Sequence, residues 1–513
     1  MHRFPFAVLS MIAVLAMAVC GCAADSGTAG VSAADDEAGS VSADPAAQAA
    51  VSAEADTTSA DAVTGSAAEA ADSSMEETSA SQKETSESAA AAVTFDEEAA
   101  KKADDAEKAL GTYEPDLPDG PVPSDLAVEA IPDLSPDFIC GMDASSALAE
   151  ENSGVRYFNE GGQEQDLFRI FADAGVNYIR LRVWNDPYDD EGHGYGGGNN
   201  DAETAITLGK RATANGMKVC IDFHYSDFWA DPKKQFAPKA WEGMSVDEKA
   251  QALHDFTADS LSQILEAGVD VSMVQVGNEI NYGMSGEKSG SSQYQLMEAG
   301  CRAVREVSEK YGRDLQIVIH YTEIDHPGNL YVLVNRLNEK GLDYDIIGLS
   351  YYPFWDGSLD NLSDVITKIT TDYGKKVVVA ETSYAYTDKD GDGMANSFSG
   401  SDAVEGYPLC AEGQAKMIRD ICAAASGAGA LGVFYWEGAW IPVGPTKAAN
   451  TPVWEKYGSG WASSYAGSYD PDDAGRYYGG SSWDNQAFFD FEGHPLPSLS
   501  VWKYLRYGST AQQ

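Results

Sequence analysis

The chain has 513 residues and a formal net charge of -47, from 81 acidic and 34 basic side chains. That length exceeds one minimal domain, and that charge opposes any electrostatic search for nucleic acid or anionic lipid surfaces. Of seven cysteines, two lie within the first 22 residues; Cys140, Cys220, Cys301, Cys410 and Cys422 are scattered, which argues against a disulfide framework or a zinc cluster.

The N-terminus carries an early cation at Arg3, an apolar run from Phe6 to Val19, and then small residues with Cys20 and Cys22. The run is shorter than the roughly 20 residues that span a bilayer and suits the apolar centre of an export signal over residues 1–22. The stretch "VCGC" also resembles a bacterial lipoprotein processing site, which implies lipid on Cys22 and a cell-surface location; cleavage of a simple secretory signal is the alternative. From Ala23 to Asp125 the sequence is rich in Ala, Ser, Thr, Asp and Glu with few aromatics. A segment of that composition buries too little apolar surface to offset its ordering entropy, so residues 23–125 are expected to form a disordered tether.

Residues 126–513 form the expected folded domain. Short apolar runs begin near Phe138, Tyr178, Lys218, Met273, Gln316, Ile346, Lys376 and Leu431. Between them lie segments of helical period, among them "DLFRIFADAG", "AITLGKRATANG" and "DSLSQILEAG", each ending at a glycine suited to the left-handed cap. Eight alternating strands and helices predict a single (β/α)8 TIM barrel of the α/β class. An open doubly wound sheet gives the same alternation, but no glycine-rich phosphate loop follows the first strand.

The chemistry of such barrels sits at the C-terminal ends of the strands. Polar residues gather there: Arg180 and Arg182, Asp222 and His224, Asn278 and Glu279, His320, Tyr351 and Tyr352, Glu381, Trp436 and Glu437. Glu279 ends the fourth strand and Glu381 the seventh, across the mouth from one another. Two carboxylates so placed suit glycoside hydrolysis, one protonating the leaving oxygen and the other attacking the sugar carbon. Trp184, Trp229, Trp436, Trp440 and Trp483 lie at or just beyond strand ends, where rings could pack on sugar faces; Trp436 is the leading platform.

The motifs "GMDASS", "IRLRVWNDP", "DFHYSDFWADPKKQ", "QVGNEIN", "LSYYPFW", "AETSYAYT" and "SSWDNQAFFDF" together resemble glycoside hydrolase family 53, the clan A endo-β-1,4-galactanases that cut arabinogalactan. The resemblance runs from about Phe138 to Phe491. It implies that Glu279 is the general acid/base and Glu381 the nucleophile of a retaining reaction on galactan. It implies further that Asn278 binds the hydroxyl beside the reacting carbon, that Arg180 keeps Glu381 ionised, and that His224 and Tyr352 order the site. Asp231, Pro232, Lys233 and Lys234 match a substrate-contact stretch of the family, although loop lysines are equally at home in solvent.

The stretch "DKDGDGMANS" supplies alternating oxygen ligands and glycines suited to Ca2+. The resemblance implies Asp390, Asp392, the carbonyl of Met394, Asn396, Ser481 and Asp484 as ligands of a structural ion. Other polysaccharides such as mannan or xylan, and a binding lipoprotein without catalysis, stand as alternatives. No nucleic-acid partner is expected, and the enzyme is expected to be a monomer.

Overall fold

The computed structural model describes residues 93–288 and 290–511. The leader, Cys22 and the tether up to residue 92 lie outside the described residues.

Eight parallel strands close a barrel: β1 (Ile139–Asp143), β2 (Tyr178–Val183), β3 (Lys218–Phe223), β4 (Val271–Val276), β5 (Gln316–Tyr321), β6 (Ile346–Ser350), β7 (Lys376–Glu381) and β8 (Gly432–Tyr435). Each strand pairs with the next, and β8 returns to β1 through Ile139 opposite Gly432 and Met142 opposite Tyr435. The strands are buried almost throughout, as expected where one face meets the helices and the other fills the barrel.

The two-residue period of a strand sorts the barrel interior into levels. One level is apolar: Ile139, Cys220, Met273, Val318, Ile346, Val378 and Phe434 pack as a cluster of their own. Gly141 belongs to this filling, because a Cβ there would sit 2.2 Å from the Phe434 ring. Two residues further along each strand, Asp222, Gln275 and His320 face inward with Arg180 and build a polar level at the mouth.

The expected helices form and stop where the glycines predict. The helices Leu167–Asp173, Ala202–Ala214 and Val246–Glu266 are followed by Gly175, Gly216 and Gly268, with φ of 95°, 75° and 88°. The five cysteines of the folded part are free thiols, four of them buried.

The tether expected to run unstructured to residue 125 requires correction at its end. Glu97–Leu110 is a helix whose N-cap Asp96 accepts from the backbone N–H groups of Glu98 and Ala99 at 3.1 and 3.0 Å. Ala100 and Ala103 form its buried stripe, and Arg313 pairs with Asp104 at 2.8 Å and Glu107 at 2.9 Å. It packs on the barrel helices near Gly268 and Gly312, just ahead of β4 and β5, and so lies on the side of the barrel away from the mouth. A narrow alanine stripe suffices for a helix that docks on a finished surface. Val122–Ser124 then pairs in parallel with Ser509–Ala511.

Candidate active site

Glu279 is 1% exposed and sits one step past the Gly277–Asn278 turn that ends β4. Gly277 has φ of 87°, and Glu279 itself adopts a left-handed φ of 46°, uncommon for a residue with a side chain. Such local strain persists where surrounding contacts over-determine it. Here Ser350, the last residue of β6, donates from Oγ to Glu279 Oε1 at 2.7 Å.

Glu381 ends β7 and is 3% exposed. Strict alternation from Val378 would point it out of the barrel. The register between β6 and β7 slips here: Leu349 pairs with Val379, but Ser350 pairs with Glu381. Such a slip re-aims a side chain, and it brings the carboxylate inward. There Oε1 lies 3.0 Å from the Arg180 guanidinium, and Oε2 accepts from the Tyr352 hydroxyl at 3.0 Å.

Arg180 is the hub of the polar level. It also contacts Asp143 at 3.0 Å, Asp222 at 2.8 Å, Asn278 Oδ1 at 2.9 Å and Gln275 Oε1 at 3.2 Å. A buried guanidinium with this many acceptors has no room to lose its proton or turn aside. His224 bonds Asp222 through Nε2 at 3.0 Å, while its Nδ1 accepts from Trp184 Nε1 at 3.1 Å. Burial opposes ionisation of Asp222, but Arg180 and His224 outweigh it and bring that carboxyl down to about 2.

The two glutamates are both raised by burial, but only one has a cation beside it. Burial lifts Glu279 well above the ordinary carboxylate range, the neighbouring charge of Glu381 lifts it further, and only the Ser350 hydroxyl opposes this. Burial lifts Glu381 too, and with the charges of Asp222 and Asp143 it outweighs the Arg180 cation and the Tyr352 hydroxyl, leaving that carboxyl raised to about 7. Glu381 is therefore the first of the pair to ionise, and Glu279 holds its proton longer.

The remaining residues are arranged around this pair. Asp231 is buried, and its Oδ1 caps the tight turn through the N–H groups of Lys233 (2.7 Å) and Lys234 (3.0 Å), with Pro232 between them also buried. Lys233 is exposed, whereas the Lys234 ammonium is taken up by Asp470 at 2.9 Å and by Asp473. Gln235, next in the chain, donates to the backbone carbonyl of Asn278 at 2.8 Å, so this loop braces the turn that carries Glu279. Trp436 follows β8 and meets Trp483 edge to face at 4.8 Å, within a cluster that includes Trp229, Trp440 and Trp461. Trp184 is fully buried and serves as packing and as the donor to His224.

Sequence reasoning assigned no roles to Asp143, Gln275 or Ser350. Each sits at an inward position of its strand, so the period of two was the available signal.

Asp390, Asp392 and Asp484 bring one carboxylate oxygen each within 4.8 Å of one another. Asp484 Oδ1 and Asn396 Oδ1 are buried acceptors with no hydrogen-bond partner among the described residues. Met394 and Ser481 are held beside them, donating their N–H groups to Asp392 Oδ1 at 2.8 Å and Oδ2 at 2.7 Å. Orphaned oxygens facing an all-oxygen, anionic set fit a hard cation.

A closed parallel barrel with two buried, differently tuned carboxyl groups at its mouth defines a glycosidase. Residues 139–502 match the sequence profile of glycosyl hydrolase family 53, and the chain belongs to that family. It is 51% identical over 388 residues to the endo-beta-1,4-galactanase of Bacillus subtilis (strain 168), covering 75% of this chain and 90% of that one. It is 33% identical over 405 residues to the arabinogalactan endo-beta-1,4-galactanase of Cellvibrio japonicus, covering 75% and 96%. Among solved structures, the GH53 catalytic domain of Ignisphaera aggregans superposes with a TM-score of 0.66 at 38% identity, covering 74% of this chain and 99% of that one.

Proposed function

We propose that this protein is an endo-acting retaining β-1,4-galactanase, with Glu279 as general acid/base and Glu381 as nucleophile. The observation that carries the assignment is the unequal surroundings of the two buried carboxyls, one beside a fixed guanidinium that offsets part of its rise and the other without a cation. The galactanase names of the relatives from B. subtilis and C. japonicus support galactan or arabinogalactan as the substrate.

In the first step Glu381, held ionised by Arg180 and aimed by Tyr352, attacks the sugar carbon. Glu279 passes its proton to the departing glycosidic oxygen, so one bond forms as the other breaks. In the second step Glu279, now a carboxylate, takes a proton from water, and the resulting oxygen nucleophile displaces Glu381. Two displacements at one carbon retain its configuration. Asn278, fixed by Arg180 and by its donation to the Ala230 carbonyl at 2.9 Å, binds the hydroxyl beside the reacting carbon. Trp436 offers its face to the C–H side of galactose. His224, Asp231, Pro232, Lys233 and Lys234 line or brace the groove around that sugar.

Asp390, Asp392, the Met394 carbonyl, Asn396, Ser481 and Asp484 would hold a structural Ca2+ that joins the loops after β7 and β8. The ion supplies cohesion between those loops and takes no part in bond breaking. The leader with its "VCGC" sequence supports export and a lipid anchor at Cys22, which would keep the monomeric enzyme at the bacterial surface.

The test is digestion of unbranched β-1,4-galactan, beside mannan and xylan, by the protein and by its Glu381→Ala variant. Short galacto-oligosaccharides from the parent and a loss of at least about 10⁴-fold in the variant are expected. Release from mannan or xylan alone would discard the substrate, and cleavage of none of the three would favour a binding protein.

A further inference from the structure

Behind Glu279 lies a hydrogen-bond chain that the two-carboxylate mechanism does not use. Ser350 Oγ stands 2.7 Å from Glu279 Oε1 and 3.0 Å from His320 Nε2, and His320 Nδ1 stands 2.8 Å from Asn278 Oδ1. All four residues are buried.

Its polarity follows from the far end. Asn278 has a fixed orientation, because Oδ1 accepts from Arg180 at 2.9 Å and Nδ2 donates to the Ala230 carbonyl. An acceptor oxygen at 2.8 Å requires a proton on His320 Nδ1. The opposite tautomer would satisfy longer contacts, the Glu279 N–H at 3.3 Å and the Gln275 amide at 3.2 Å, but would set two lone pairs against each other at 2.8 Å. Burial, and then the charge of Arg180, keep the imidazole neutral far below its usual range. One proton on Nδ1 leaves Nε2 bare and aimed at Ser350.

We propose that the Ser350 hydroxyl is a two-position donor shared between His320 Nε2 and Glu279 Oε1, and that Ser350 and His320 are positioning residues that support the acid/base in both of its protonation states. This inference rests on the assignment of Glu279 as the acid/base. In the free enzyme the Glu279 proton rests on Oε1 and donates to Ser350, and Ser350 donates to His320; when, by exchange with water, the proton is carried on Oε2 toward the glycosidic oxygen, the Ser350 hydroxyl turns and donates to Oε1. Once the Oε2 proton has passed to the leaving oxygen, that donation meets the new charge as a charge-assisted bond. Only the hydroxyl rotates; the single proton exchanged is the one between Glu279 and the substrate oxygen or water. Glu279 is otherwise faced by Glu381, Asp231 and Asp356, and His320 by Arg180, Asp222 and His224, none of which reaches Oε1 with a donor.

The first test needs no substrate. The chain has 7 histidines, so nitrogen NMR on protein labelled at histidine, with His320→Gln to assign the signal, reads the tautomer directly. A neutral ring protonated on Nδ1 from about pH 5 to about pH 8 is expected; a ring protonated on Nε2, or an imidazolium, overturns the proposal. The second test is the pH profile of kcat/KM on galactan. Ser350→Ala should move the alkaline limb up by about one pH unit, because the carboxylate loses a charge-assisted donor, and Ser350→Thr should return it. An unmoved limb in a folded Ser350→Ala protein overturns the proposal. Full activity in Glu279→Gln would instead remove the underlying assignment, a failure that the tautomer measurement distinguishes.

Discussion

Two levels of one barrel interior, two residues apart along the same strands, are built from opposite materials. At the mouth, Asp143, Arg180, Asp222, Gln275 and His320 are buried and bonded to one another. Below them, Ile139, Cys220, Met273, Val318, Ile346, Val378 and Phe434 present only hydrocarbon and sulfur. The lower level gains stability from area removed from water, at about 25 cal/mol per Å2. The upper level must first recover the cost of desolvating its charges, so its value lies in fixed orientation more than in stability. The barrel thus separates the residues that hold it closed from those that set the charge of Glu279 and Glu381.

Substitutions should divide along that line. The largest effect after loss of Glu381 is expected from Glu279→Gln, which should lower kcat on galactan by about 10² to 10⁴-fold while leaving the melting temperature near that of the parent. A comparable fall in melting temperature would erase the contrast between the levels. Met273→Ala, one level down, should cost about 2 to 5 kcal/mol in urea unfolding and leave kcat/KM of the folded protein nearly unchanged. Removal of Ca2+ should come next: at an ion concentration of about 100 Kd the bound ion is worth about 2.7 kcal/mol, read as a lower melting temperature in chelator that added Ca2+ restores. A melting temperature indifferent to chelator and to Ca2+ would sink the ion.

The smallest effect concerns acid. Asp222 is brought down to about 2 in the fold, so the stability it contributes is present above the ordinary carboxylate range and is lost as pH falls through about 2. That contribution is of order 2 kcal/mol. Acid unfolding of Asp222→Asn should accordingly show a shallower loss between about pH 4 and about pH 2 than the parent. An identical slope would place the acid sensitivity elsewhere.

Much of the barrel was legible in the sequence because its rules are local. Eight apolar runs, helical segments ending at Gly175, Gly216 and Gly268, and Glu279 and Glu381 at strand ends need only neighbouring residues to be read. What escaped depends on distance or on one misleading local cue. The helix Glu97–Leu110 shares the alanine and acid content of the segment before it, and its docking partners Arg313 and Glu266 lie far along the chain. Lys234 reads as a loop charge until Asp470 and Asp473 arrive from more than 230 residues away. Glu381 lies at the right strand end, yet strict alternation points it outward, and only the register slip beside Ser350 turns it in. Gln275 and Ser350 lie inside "QVGNEIN" and "LSYYPFW" without a role legible there, and they matter because β4, β5 and β6 are neighbours in the barrel.

The central claim is that Glu279 and Glu381 perform two displacements at one sugar carbon. Proton NMR of the reducing ends released in the first minutes from β-1,4-galactan tests it most directly. The account predicts that the β-anomer appears first and only later equilibrates with the α-anomer; an α-anomer appearing first would mean a single displacement and would contradict the assignment of Glu381 as nucleophile.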